Sequence, residues 1–522
     1  MAKFICRKDY PVVTTDKGQL RGFVYDGIFT FHGIRYARAH RFEQPEEIPA
    51  WDGIKDALGY GYICPVLNTS QPAMEVLMTH RFWPENENCQ YLNIWTKSID
   101  TNAKKPVIFW MHGGGYSAGS SIEQAPYDGH NLAFKEDVVV VTVNHRLNVF
   151  GFLDVSDYGD KYANSVNAGM ADLVEALKWV RRNIAAFGGD PDNVTIMGQS
   201  GGGGKVTTLG QIPAAAGLFH KQMVMSGAGA GMKRNNEAAP KELVEAILKA
   251  ADLDTVEKLA VLPTALFIRA VNRAVWNLYQ EGKTVSWSPK PNEYYAGNPF
   301  DVGYCEHARK CPTLVGSVIS EMGFQPLAKN VDEMTEEETS AAIKAKFGDA
   351  AEEITALFKE AYPDKPLAFV LNLDTWMRPG HTEYAKRKAA EAEAPVYNYL
   401  FTVAFDYEGG KGAWHCSDIP FWFNTCDTQP IDDMELTEKL EDTMSHTLAT
   451  FARTGDPNNA KLPHWEPTTA EVANTMTLDK ECALKSDFDK KLIEKITSVL
   501  PPRGLNFTPV EPDSESDRAW MY

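Results

Sequence analysis

Two stretches of the chain, "PVIFWM" at 106–111 and "DVVVVTVN" at 137–144, are apolar without alternation. A strand of this kind hides both of its faces, which requires a sheet covered by helices on both sides. Helical patterns lie between and after such strands. In "AGMADLVEALKWVRRNIAAFGGD", Leu173, Val174, Leu177, Val180, Ile184 and Phe187 recur at helical spacing, and Gly188-Gly189 ends the pattern. The strand "VTIM", a glycine-rich turn, a helix from Gly202 to Leu209 and the strand "KQMVMSG" at 221–227 follow. This order predicts an α/β chain on a mostly parallel, doubly wound sheet.

Residues near 236–300 and 325–390 are rich in Ala, Glu, Lys and Leu, and read as helical excursions covering the sheet and its site. "CPTLVGSVISEMGF" and "APVYNYLFTVAF" (394–405) return to strand. "LTEKLEDTMSHTLATFART" is a late helix stopped by "GDPN", and "ANTMTLD" reads as a last edge strand. No repeat, low-complexity tract or linker divides residues 1–522, so a single domain is expected. The tail "PVEPDSESDRAW" is polar and expected to be mobile.

The 522 residues are 44% apolar and 23% charged, enough for a substantial core. A net charge of −18 argues against nucleic acid or an anionic membrane surface as a partner. No apolar run approaches the length of a transmembrane helix. The opening "MAKFICRKDYPVVTTDKG" lacks the apolar stretch of a secretory leader, so a cytoplasmic location is expected. Eight cysteines are few for this length, and most are expected as thiols. "CEHARKC" at 305–311 lacks a second ligand pair at a fitting spacing, so no metal is expected.

The turn in "VTIMGQSGGGGKVTT" has two readings. A phosphate-binding loop needs G-x-x-x-x-G-K-[ST], but Gln199 stands where the first glycine belongs and Val206 where the hydroxyl belongs. Lys205 is therefore not a P-loop lysine. Gly198-Gln199-Ser200-Gly201-Gly202 instead matches G-x-S-x-G, which mounts a serine nucleophile on a sharp strand-to-helix turn. That pattern is common by chance and needs partners. "PVIFWMHGGGYSAG" supplies one, because His112-Gly113-Gly114-Gly115 just past a strand can turn backbone N–H groups toward a tetrahedral oxygen. Gly201 adds a further N–H, and His112 itself reads as a packing or hydrogen-bonding residue. An acid and then a histidine should follow the serine in the chain. Glu321, after the strand in "VGSVISEMGF", and His415, in "KGAWHCSDIPFWF", fit that order. Many acids and twelve histidines compete for these roles, so the pattern alone gives the reaction class without fixing either assignment.

The chain resembles the type-B carboxylesterases, the group of the bacterial para-nitrobenzyl esterases and the cholinesterases, over nearly its whole length. "FHGIRYA", "ENCQYLNIW", "VNHRLNVFGFL" and "WVRRNIAAFGGDPDNVTIMGQSGG" carry the likeness. The resemblance implies an α/β-hydrolase fold and a triad of Ser200, Glu321 and His415. It also implies oxyanion donors at Gly114, Gly115 and Gly201, with Gln199 and the buried Ser226 behind them. It further implies two salt bridges, Arg41–Glu87 and Arg146–Asp172. Cys64 and Cys89 match the family's first disulfide pair, which a reducing compartment would keep as thiols.

Two departures stand out. Gln199 replaces a glutamate, which should leave the histidine less basic than in relatives. Gly201 replaces an alanine, which should loosen the turn.

The expected activity is cofactor-free hydrolysis of small to medium apolar or aromatic carboxylic esters through an acyl-enzyme. Trp83, Tyr116, Phe421 and Trp422 are the candidate pocket rings, with core packing as the alternative for each. Amidase or thioesterase activity by the same nucleophile, and a binding module without catalysis, are the other readings.

Overall fold

The computed structural model describes residues 3–67, 81–229, 236–323, 329–406 and 410–500, with 509, 511 and 512. Most of the polar tail, and the start of the second excursion at 325–328, lie outside the described residues.

The main sheet has twelve strands. They are β1 (Phe4–Ile5), β2 (Phe23–Tyr25), β3 (Ile28–Arg35), β4 (Tyr91–Thr96), β5 (Lys105–Met111) and β6 (Val139–Val143). After these come β7 (Gly189–Gln199), β8 (Lys221–Met225), β9 (Thr313–Val318), β10 (Val396–Phe401), β11 (Asn474–Leu478) and β12 (Ala483–Ser486). Their spatial order is β1-β2-β3-β4-β6-β5-β7-β8-β9-β10-β11-β12. From β6 through β11 every pairing is parallel, and both flanks are antiparallel. Residues 474–478 were expected to form the edge, but β12 pairs with them and takes that place.

The two apolar runs are β5 and β6, and every residue of both is buried. Helix α1 (Ala168–Asn183) covers one face through Leu173, Val174, Leu177 and Val180, and ends through a short 3-10 turn at Gly188, whose φ is 75°. A late helix, α8 (Glu441–Thr454), packs Met444, Leu448 and Phe451 against the other face. The parallel strands align along one row of register partners, Met111, Gly198, Val224, Val315 and Asn398. Beyond this row the chain leaves the carboxyl ends of five neighbouring strands, where ligands of open α/β sheets bind.

The first excursion holds α3 (Pro240–Ala251) and α4 (Thr264–Gln280), which share a core cluster with Phe42, Leu147 and Phe150. Arg41 ties it to the amino-terminal part of the chain, pairing with Glu87 (Nε to Oε2, 2.8 Å) and donating to the carbonyls of Leu259 (2.6 Å) and Leu262 (2.8 Å). The second holds α5 (Glu336–Phe347), α6 (Ala351–Ala361) and α7 (Met377–Glu391). Arg146, fully buried, forms the other expected bridge, with Nε 2.9 Å from Asp172 Oδ2 and the guanidinium 2.8 Å from Oδ1. Among the described residues no helix is long and apolar enough to cross a membrane.

Candidate active site

Ser200 stands between β7 and α2 (Gly201–Leu209) at φ 56° and ψ −121°, a conformation strained for any residue with a side chain. The turn is clamped, since Ser200 N donates to Met225 O (2.8 Å) and Gly204 N donates to Ser200 O (3.0 Å). Its glycines are steric requirements. A Cβ at 198 would strike the Gly202 backbone, and a Cβ at 202 would strike the Met111 carbonyl.

Gly114 and Gly115 lie beside this turn at φ 79° and 63°, the left-handed region that glycine enters without penalty. Gly114 O accepts from Ser117 N (3.1 Å) and Ala118 N (3.0 Å). His112 Nδ1 lies 2.9 Å from Gly113 O, and a carbonyl only accepts, so Nδ1 carries the proton. The His112 ring stacks on His145 at 5.4 Å between centroids. Burial holds its pKa far below the ordinary histidine value, and Lys205 and His145 add to this. It is a neutral packing and hydrogen-bonding residue. The expectation of a loose turn at Gly201 is corrected here. An added Cβ would fall within the Gly115 backbone, so the glycine loop rests directly on residue 201.

Glu321 and His415 arrive on the loops after β9 and β10. His415 Nδ1 lies 2.5 Å from Glu321 Oε2, and His415 N donates to Glu321 O at 3.1 Å. The other carboxylate oxygen, Oε1, accepts from Val318 N (3.2 Å). Burial alone would lower the histidine's pKa, but the charge and hydrogen bond of Glu321 outweigh it and lift the pKa above 6.5. Burial raises and His415 lowers the Glu321 pKa, and the net direction is down.

Gln199 Nε2 is 3.3 Å from each ring nitrogen of His415, and Cys416 Sγ donates to Gln199 Oε1 at 3.2 Å. Among the described residues no hydrogen bond joins Ser200 Oγ to His415. Ser226 is buried at φ 44° beside Glu321 and helps keep it ionised, though its hydroxyl makes no hydrogen bond of ordinary geometry.

Of three further neighbours, His381 and Asp374 carry no sequence motif, while Asp418 lies in the same stretch as His415, "KGAWHCSDIPFWF". His381 of α7 accepts from Gly227 N (2.8 Å) and Ala228 N (3.1 Å) through Nε2, while its Nδ1 faces Met377 O (2.6 Å). Asp374 accepts from the N–H groups of Trp376, Met377 and Arg378 at the start of α7, and burial plus the charge of Glu321 push its pKa to about 7. Asp418, which accepts from Tyr399 Oη at 2.8 Å, is pushed by burial to about 6.

The pocket rings divide. Phe421 and Trp422 are each 0% exposed and pack on Phe401 and Tyr399, so for these two the pocket reading is corrected and the alternative, core packing, holds. Tyr116 bonds Thr208 Oγ1 (2.9 Å) and meets Phe152 edge-on. Trp83 is exposed and packs edge-on against Tyr60. Cys64 and Cys89 are free, buried thiols, and Cys64 Sγ accepts from Leu147 N at 3.2 Å. Among the described residues no group of three or more His, Cys, Asp or Glu is arranged to hold a metal ion.

The family model for the carboxylesterase family matches residues 9–494. The chain belongs to the carboxylesterase family. This carboxylesterase is 31% identical to the para-nitrobenzyl esterase of Bacillus subtilis (strain 168), over 95% of this chain and 99% of that one. It is 29% identical to the phenmedipham hydrolase of Pseudarthrobacter oxydans, over 91% and 96% of the two chains. Among solved structures it is similar to an esterase from anaerobic Clostridium hathewayi described as able to hydrolyse aliphatic aromatic polyesters. That likeness has a TM-score of 0.92 at 44% identity, over 96% and 100% of the two chains. A thermophilic para-nitrobenzyl esterase follows with a TM-score of 0.74 at 27% identity, over 93% and 99%. The carboxylesterase has the α/β-hydrolase fold and is a carboxylic ester hydrolase.

Proposed function

We propose that Ser200, His415 and Glu321 carry out this hydrolysis and that the amides of Gly114, Gly115 and Gly201 receive the oxyanion. The observation that carries the assignment is the short His415–Glu321 bond beside a strained Ser200 turn on which the glycine loop rests. Ser200 Oγ adds to the ester carbonyl carbon while His415 Nε2 takes its proton. The carbonyl π pair moves to the oxygen, which faces the three amides. Collapse breaks the carbon–oxygen bond, and the alcohol leaves with the proton from His415. Water then attacks the acyl-enzyme with His415 as base, releasing the acid and restoring the hydroxyl. Glu321 holds the Nδ1 proton in place throughout. In this reading the Ser200–His415 hydrogen bond forms in the complex with substrate, as catalytic hydrogen bonds of free enzymes often do.

The substrates in this reading are small to medium apolar or aromatic esters. Support comes from the names of the similar enzymes, which include a para-nitrobenzyl esterase and an esterase described as hydrolysing aliphatic aromatic polyesters. Tyr116, next in the chain to Gly115, and Trp83 are the rings proposed to meet such a group. The test is a panel of para-nitrophenyl esters graded in acyl length and aromaticity, assayed beside the matching anilides. Turnover of esters that is lost in Ser200→Ala supports the reading. Faster turnover of anilides, or activity surviving in Ser200→Ala, overturns it.

A further inference from the structure

Lys205, which is not a P-loop lysine, is 0% exposed. It lies one turn into α2, and its ammonium donates to the His112 carbonyl at 2.9 Å. Burying a cation is costly, and any neutral donor could satisfy a single carbonyl. What distinguishes this carbonyl is its place. It belongs to the peptide that opens the glycine loop, directly before the peptides that carry the Gly114 and Gly115 amides.

The loop's carbonyls are held one after another. Lys205 holds that of His112, the His112 ring holds that of Gly113, and the amides of Ser117 and Ala118 hold that of Gly114. A peptide is planar, so fixing a carbonyl also fixes the N–H of the next residue. The first link is made by a side chain from the same short helix that begins right after Ser200. That helix opens with four glycines, which hold a helix weakly but let its backbone sit against the Met111 and His112 carbonyls. Burial lowers the ammonium's pKa to about 7 and Glu123 works in the opposite sense, so the charge is retained in part near neutrality.

We infer that Lys205 is a positioning residue which locks the glycine loop to the nucleophile helix and so sets the aim of the oxyanion amides. The inference rests on the proposed roles of Ser200 and the glycine loop.

The experiment compares wild type with Lys205→Met, which keeps the length and loses the donor, and Lys205→Ser, which leaves room for a bridging water. Labelling of wild type by a fluorophosphonate, mapped to Ser200, first tests the site itself; its failure would end the site reading whatever the variants do. Thermal midpoint, kcat and KM are then measured. So is inhibition by an aryl trifluoromethyl ketone, whose adduct with Ser200 places an oxyanion at the amides, and by the matching methyl ketone.

The expected result for Lys205→Met is a fall in kcat of about tenfold to a hundredfold, with KM within about threefold. Trifluoromethyl ketone affinity should fall in parallel and methyl ketone affinity should hold, with Lys205→Ser in between. If folded variants keep kcat and trifluoromethyl ketone affinity within about twofold and lose only thermal stability, the inference is overturned. If neither variant folds, Lys205 is a requirement of the fold and the narrower claim also falls.

Discussion

Glu321 and His415 are joined twice, through a 2.5 Å bond between side chains and a 3.1 Å bond from the histidine's backbone N–H to the glutamate's carbonyl. The backbone bond aligns the two loops, and the side-chain bond fixes the imidazole tautomer, with the proton on Nδ1 and the lone pair on Nε2. Glu321→Gln should keep the backbone bond while presenting the wrong partner to Nδ1. A roughly ten-thousandfold loss in kcat is expected, with an unchanged thermal midpoint and KM within a few fold. Steady-state kinetics on a para-nitrophenyl ester, beside a melting curve, check both halves of this.

As the proposed base, His415 must be neutral to act. Because Glu321 lifts the His415 pKa above 6.5 against the pull of burial, kcat/KM should fall as pH drops through a midpoint above 6.5. Gln199 faces the same ring, with its amide nitrogen 3.3 Å from both ring nitrogens. Gln199→Glu puts a negative charge there, favours the imidazolium and should move the acid limb upward by about one unit. A pH–rate profile of the pair that shows no upward movement would count against this.

Gly201→Ala restores the residue that relatives carry, yet it should impair this enzyme. The new methyl group would fall within the Gly115 backbone and push the glycine loop away from the serine. A loss in kcat of about tenfold to a thousandfold is expected, comparable to losing an oxyanion donor in part or whole. Trifluoromethyl ketone affinity measured on the same variant separates a displaced loop from a displaced serine.

Arg146 and Asp172 bear on stability. The guanidinium also donates to the carbonyls of Glu43 (2.8 Å) and His40 (3.2 Å), so it joins the amino-terminal part of the chain to α1. Asp172→Ala leaves that buried cation without its counter-charge. A destabilisation of about 3–5 kcal/mol is expected in a urea titration, with near-normal kcat in the fraction that stays folded.

The central strands were legible because β5 and β6 are apolar on both faces, and the Ser200 turn because its glycines are dictated by backbone contact. The amino-terminal strands were not read. Most are two or three residues long with mixed exposure, too short for any period to emerge. Pocket and core readings of Phe421 and Trp422 both stood open because closeness to His415 in the chain says nothing about direction, and the short helix carrying them turns both inward. His381 and Asp374 come from a helical excursion whose sequence carries no motif, and only folding brings them beside Glu321. Lys205 was visible only as the lysine of a failed phosphate loop, since a lone buried cation has no sequence signature.

The register row from Met111 to Asn398 draws its chemistry from segments about three hundred residues apart, and the strand bearing the His415 loop is flanked by β11, formed only at 474–478. During synthesis the proposed nucleophile, Ser200, is therefore made long before its proposed base, His415. Until β11 is made, β10 lacks the parallel neighbour on its outer side, so the segment that carries His415 hangs from an edge strand.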